Sequence, residues 1–176
     1  VSRLSKEKNI DLAIQILARI RQKFPSTGLI IVGSGPEEAR LKSLAKSLGL
    51  DGAVEFAGWQ NDVASYYKTA NVFLQTSLFE GYGLSLIEAG LSGLPVVTTP
   101  VGIASELEHG RDAYIYPVAE PEMFAIGIIE LIENNQKRES LKFNLKKTLE
   151  SKLLSKEEFL SKMKANWEVT ASKVNI

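Results

Sequence analysis

The sequence predicts an α/β protein, a Rossmann-like, doubly wound parallel sheet of about six strands with helices on both faces. Three observations predict it. Short apolar runs alternate along the chain with segments whose apolar residues recur at helical spacing. The runs lack a regular polar alternation, which is the pattern of strands in a parallel sheet covered on both faces. Glycine and proline stand at the joins between runs and helices, where chain reversals need them.

Taken in order, Val1–Leu4 reads as the end of a strand. Ile10–Phe24 carries apolar residues at 10, 13, 14, 17, 20 and 24, one face of a helix, and Pro25 follows it. "LIIVG" (29–33) is an apolar strand ending in glycine. "PEEARLKSLAKSLG" (36–49) has proline and acids at its start and glycine after its end, the marks of a helix. "AVEFAG" (53–58) is a short strand, Asp62–Lys68 a short helix and "NVFLQ" (71–75) another strand. A helix is expected over Leu84–Leu91, then strands at "PVVTT" (95–99) and "YIY" (114–116). Helices follow over 121–134, 138–150 and 156–172, with Ser155 and Glu158 at capping-box spacing for the last. Its Phe159, Met163 and Trp167 form an apolar stripe. The expected organisation is one Rossmann-like unit over 1–154 and a terminal helix over 155–176.

Composition excludes several classes. Lys+Arg and Asp+Glu each number 21, so there is no net basic field to gather nucleic acid. With no cysteine there are no disulfides and no thiolate metal sites. No His/Asp/Glu group has metal-ligand spacing, and there is no Asp-x-Asp, so no metal and no cofactor are expected. No apolar run is long enough to span a membrane, and no signal peptide is visible. A cytoplasmic setting fits, with the inner face of a membrane as a further option. The chain opens on "VSRL" without an initiator Met, which reads as a fragment lacking an N-terminal part.

In a doubly wound sheet, ligands sit beyond the carboxyl ends of the strands. There "SRLSKEK" places Arg3 and Lys8, a planar fork and a point charge suited to a diphosphate or to solvent. "GSGP" (33–36) is either a tight turn or a phosphate cradle. It lacks the third glycine of the dinucleotide fingerprint and the Gly-Lys-Ser/Thr of a P-loop. "FEGYGLSLIEAG" (79–90) is more specific. Gly81 and Gly83 let backbone approach a ligand, and the unpaired N–H groups of the following helix point into the loop. Glu80 precedes the loop and Glu88 lies one turn into the helix. Each carboxylate can accept hydrogen bonds from vicinal hydroxyls, or simply cap and solvate the helix. His109, the one histidine, reads as a surface residue, not a base.

The segments "SRLSKEKNIDLAI", "LIIVGSGPEEARL", "VEFAGW", "FLQTSLFEGYGLSLIEAGLSGLPVVTTPVG" and "SELEHG" occur in one order. Together they resemble the C-terminal, donor-binding domain of the family-4 glycosyltransferases, enzymes of the GT-B fold. The resemblance implies a retaining transfer of a sugar from a nucleotide-diphosphate sugar (UDP-, GDP- or ADP-linked) to an acceptor hydroxyl. It implies that Arg3, Lys8, Gly83 and Leu84 bind the diphosphate. Glu80, Gly81, Tyr82 and Gly83 would face the sugar, with Glu80 in the catalytic position. Glu88 would hold the ribose, and Ala57, Trp59 and Gln60 would flank the base. An N-terminal domain would carry the acceptor site and any peripheral membrane contact, and the terminal helix would cross to it. No divalent metal is implied. Departures from the family pattern are Ser2 and Asn9 in place of glycines, Gln75-Thr76-Ser77 for Leu-Pro-Ser, and Ile103 in place of glycine, expected to narrow the sugar pocket. A sugar-nucleotide epimerase of the same plan and a non-catalytic nucleotide-binding module are the alternative readings.

Overall fold

A computed structural model describes residues 1–153 together with Leu160, Ser161, Met163 and Lys164. The elements run α1 (Ile10–Lys23), β1 (Leu29–Val32), α2 (Glu38–Ser47), β2 (Val54–Gly58), α3 (Val63–Thr69), β3 (Phe73–Gln75), α4 (Leu84–Leu91), β4 (Val96–Thr98), β5 (Tyr114–Ile115), α5 (Pro121–Glu133) and α6 (Asn135–Lys152). Short 3-10 turns at Lys6–Lys8 and Gly102–Glu106 complete the described residues. The fold class is the expected one, α/β with parallel strands. Of the expected terminal helix only Leu160, Ser161, Met163 and Lys164 are described, all four helical, and the rest of it, with Phe159 and Trp167 of its stripe, lies outside the described residues.

The strand count differs from expectation. Among the described residues, five strands form two sheets, β1–β2 and β3–β4–β5, every pairing parallel. Val1–Leu4 is not a strand. Its Ser2 and Leu4 amides donate to the carbonyls of Val32 and Ser34 (2.9 and 3.0 Å), so it runs beside the end of β1 without building a ladder. The two sheets flank a narrow cavity of about 50 Å³ lined by Val1, Ser2, Leu29–Ile31 and Phe73–Gln75.

Helix α1 ties the two sheets together, because its apolar surface wraps more than one face. Ile10, Ile14 and Leu17 pack into a cluster with Leu4, Ile31 and Leu41 beside β1 and α2. Leu12, Ile16 and Ile20 enter a second cluster with Val97, Tyr114 and Phe124 beside β4, β5 and α5. A third cluster joins α3, β3 and α4 to Leu145 and Leu149 of α6. Leu141, Leu145 and Leu149 recur at one helical face and are completely buried, so α6 is held by this stripe. Truncating any of the three to Ala is the kind of change that costs about 2–5 kcal/mol.

Helix α2 starts later than its proline predicts. The carbonyl of Leu4 takes the Glu37 amide (3.1 Å), and Glu38 donates to Gly35 (3.2 Å), so Pro36 and Glu37 belong to the turn that anchors the N-terminal segment. Gly33 and Gly35 serve that same contact. A Cβ on Gly33 would lie 1.9 Å from the Ser2 carbonyl oxygen, and one on Gly35 would lie 2.3 Å from that of Leu4. The "GSGP" stretch is thus a turn whose glycines admit the backbone on either side of Arg3.

Candidate functional site

Three loops converge on Glu80. The first is the segment after Leu4, ending in the 3-10 turn that carries Lys8. Asn9 follows in the left-handed region (φ 47, ψ 46) and starts α1. Only glycine enters that region freely, and asparagine is among the few other residues that do so routinely. Asn9 therefore fills a glycine position of the family pattern without changing the turn. The second loop follows β3. Thr76, where the family pattern has proline, bridges the carbonyls of Lys8 and Asn9 with its hydroxyl (3.2 and 3.0 Å). The Leu78 amide donates to Glu7 (2.8 Å), so the two loops are clamped in register.

The clamp brings together two side chains far apart in sequence. Lys8 Nζ lies 2.9 Å from Glu80 Oε1, with side-chain exposures of 20% and 12%. Ser77 Oγ donates to the same oxygen at 2.7 Å. Among the described residues no hydrogen bond engages Glu80 Oε2. The residues expected on the diphosphate and on the sugar thus neutralise each other, and one carboxylate oxygen is left over.

The third loop carries Gly102 and Ile103. Ile103 donates its amide to the carbonyl of Tyr82 (2.8 Å) and holds the Glu80–Gly83 loop from below. Its side chain does not narrow a sugar pocket as expected. It is buried to 1% exposure among Leu86, Ile87 and Ala104. Gly102 (φ +58) has to be glycine, since a Cβ there would lie 2.7 Å from the Tyr82 carbonyl oxygen and 3.0 Å from Glu80 Cβ. Gly83 (φ 91) then starts α4, whose first-turn amides point back toward the loop.

Glu88 lies one turn further on, exposed on α4. Its Oε2 accepts a hydrogen bond from the hydroxyl of Tyr67 at 3.0 Å. Tyr67 was not singled out in the sequence, because a tyrosine in a short helix looks like any core aromatic. Burial, and then the Glu88 carboxylate, push its phenol well above the ordinary range, so it remains a donor.

The remaining positions are more open. Arg3 is exposed, and its guanidinium makes no hydrogen bond or ion pair among the described residues. Trp59 stands 77% exposed at the end of β2, in a turn closed by Gln60 Nε2 donating to the Ala57 carbonyl (2.7 Å). Leu78, Phe79, Tyr82 and Leu84 are 53%, 68%, 46% and 65% exposed around the Glu80 loop. His109 is structural. Its Nδ1 meets the backbone N–H and C=O of Ile115 (3.0 and 2.9 Å), and its ring lies against Tyr114 and Tyr116.

Parallel strands, a basic loop after the first segment and a glutamate pair spanning the start of α4 are thus gathered at one end of the fold. The chain belongs to the glycosyl transferases group 1, whose family model matches residues 1–148. It is similar to an uncharacterised glycosyltransferase of Haemophilus influenzae, 31% identical over 96% of this chain and 46% of the relative. Among solved structures it resembles Anabaena Alr3699/HepE in complex with UDP (TM-score 0.80, 27% identity, 98% of this chain and 47% of that one). It also resembles the pneumococcal O-GlcNAc transferase GtfA in complex with UDP and GlcNAc (TM-score 0.81, 28% identity, 96% of this chain and 35% of that one). The chain therefore spans about half or less of the length of these proteins.

Proposed function

We propose that this chain is the donor-binding half of a retaining glycosyltransferase of the family-4 type, which transfers a hexosyl group from a nucleotide-diphosphate sugar to an acceptor hydroxyl. The observation that carries the reading is the meeting of Lys8, Glu80 and Ser77 beside the start of α4. In the reaction the bond between sugar C1 and the diphosphate oxygen breaks, the acceptor oxygen bonds to C1 on the same face, and the acceptor's proton passes to the leaving diphosphate oxygen. Negative charge grows on the leaving diphosphate, where Arg3, Lys8 and the first-turn amides of α4 at Gly83 and Leu84 stabilise it. Preformed positive groups in a partly water-excluded site stabilise such charge without reorganising.

Glu80 then takes a double role. Its Oε1 holds the Lys8 ammonium toward the phosphates, and its Oε2 accepts from a hydroxyl of the transferred sugar. The backbone of Gly81, Tyr82 and Gly83 lines that sugar. Glu88 binds the ribose, and Ala57, Trp59 and Gln60 flank the base, with the exposed indole as a stacking surface. The acceptor site belongs to an N-terminal domain outside this chain. Support comes from the length of the relatives and from the four exposed apolar side chains around the Glu80 loop, a grouping that marks a covered surface.

Both solved structures named above are complexes with UDP, which makes the uridine nucleotide the first ligand to test. Calorimetric titration of the chain with UDP, GDP and ADP in EDTA should give saturable binding of one of them, unchanged by magnesium or manganese. Absence of binding by all three would sink the reading. Binding that requires the cation would contradict its metal-independent part.

A further inference from the structure

The structure assigns Tyr67 as the residue that positions Glu88, through a hydrogen bond from its hydroxyl to one carboxylate oxygen that leaves the other free for a ribose. The inference rests on the reading that Glu88 holds the ribose. Three observations carry it. Glu88 is exposed on α4, where a glutamate ordinarily samples several rotamers in water, yet its Oε2 lies 3.0 Å from the Tyr67 hydroxyl. Tyr67 itself cannot move. Only 4% of it is exposed, and its ring meets Phe73 edge-on at 6.0 Å within the cluster that includes Leu86 and Ile87. Among the described residues, the Tyr67 hydroxyl is the only hydrogen-bond partner of the Glu88 side chain.

The geometry has a chemical consequence. A phenol is a neutral donor, so it fixes the carboxylate without cancelling its charge. Lys8 does the opposite at Glu80. Restricting a mobile side chain before the ligand arrives removes a share of the entropy that binding would otherwise cost. Helix α3, which carries Tyr67, is capped by Asp62 directly after the Trp59–Asn61 turn. The same short helix therefore links the segment proposed to meet the base with the residue that aims Glu88.

The test uses Tyr67→Phe, which keeps the ring and its contacts and leaves Glu88 exposed to water. UDP and 2′,3′-dideoxy-UDP are titrated against wild type, Tyr67→Phe, Glu88→Gln and the double variant. Wild type should bind UDP more tightly than the dideoxy ligand. Tyr67→Phe should weaken UDP by about three- to tenfold and leave the dideoxy ligand within about twofold. The double variant should bind no more weakly than Glu88→Gln alone. A purely structural role would lower both affinities alike or neither. If Glu88→Gln loses the preference for UDP and Tyr67→Phe keeps it in full, Tyr67 does not position Glu88. If wild type binds no UDP, or Glu88→Gln leaves the preference intact, the ribose reading fails and this inference falls with it.

Discussion

The two glutamates of the loop-and-helix motif live in opposite surroundings. Glu80 is nearly enclosed, and one of its oxygens takes both a lysine ammonium and a serine hydroxyl. Glu88 is exposed, and one of its oxygens takes a single neutral phenol. Each keeps its second oxygen free. The first arrangement ties charge to charge, so a ligand at Lys8 is felt at Glu80. The second holds a carboxylate through a neutral donor. The difference teaches that one short motif can supply an end coupled to a cation and an end that is simply pre-aimed.

The comparison breaks most severely at Gly102, which touches only the Glu80 end. Gly102→Val places a branched side chain at φ +58, against the Tyr82 carbonyl and Glu80 Cβ. Strain and overpacking should lower stability by about 2–3 kcal/mol. Binding of UDP-sugar should fall sharply, while the preference for UDP over dideoxy-UDP survives at Glu88. Urea unfolding and calorimetry on one sample read both effects.

Stability sharpens the same contrast. Glu80→Gln leaves the Lys8 ammonium partly buried without its counter-charge, a change of about 1–2 kcal/mol at this degree of exposure. Glu88→Gln gives up only an exposed charge and should stay within about 0.5 kcal/mol. Equal urea midpoints for the two variants would contradict the contrast.

The smallest effect concerns the support of the Glu88 end. Asp62 caps α3 by accepting from the Ser65 amide (3.1 Å) and its hydroxyl. The Ser65 side chain, and then the backbone amides, hold the Asp62 carboxyl below its ordinary value. A depressed carboxyl contributes stability above its unfolded pKa of about 4 and loses it as pH falls through the lower folded value. Wild type should therefore melt slightly above Asp62→Asn at neutral pH, and the two should converge in acid. A gap unchanged down to pH 3 would show that the cap does not act through its charge.

Much of this was legible in the sequence, for identifiable reasons. Short, mostly apolar runs between turn residues read as strands, so Leu29–Val32, Val54–Gly58, Phe73–Gln75 and Val96–Thr98 were visible, although only Val96–Thr98 is buried throughout. Val1–Leu4 looked the same, but strand status depends on partners, and it meets only the end of β1. The charged side chains were legible by type and position. Their pairing was not, because Lys8 and Glu80 meet only through the Thr76 and Leu78 clamps between two loops. Ile103 was misread because a motif position does not reveal which way a side chain points. Asn9 looked like a departure until its backbone angles showed that it meets the demand a glycine would meet.

The central claim is that the glutamates divide the donor between them, and a two-by-two titration tests it most directly. Glu80→Gln and Glu88→Gln are each titrated with UDP and with the UDP-sugar that wild type binds. Glu88→Gln should weaken both ligands by about tenfold or more, since both carry the ribose and a hydrogen bond to a charged group contributes roughly 1.5–3 kcal/mol. Glu80→Gln should leave UDP within about threefold and weaken the UDP-sugar by about tenfold. The same profile from both variants would contradict the division and, with it, the assignment of Glu80 to the sugar and Glu88 to the ribose.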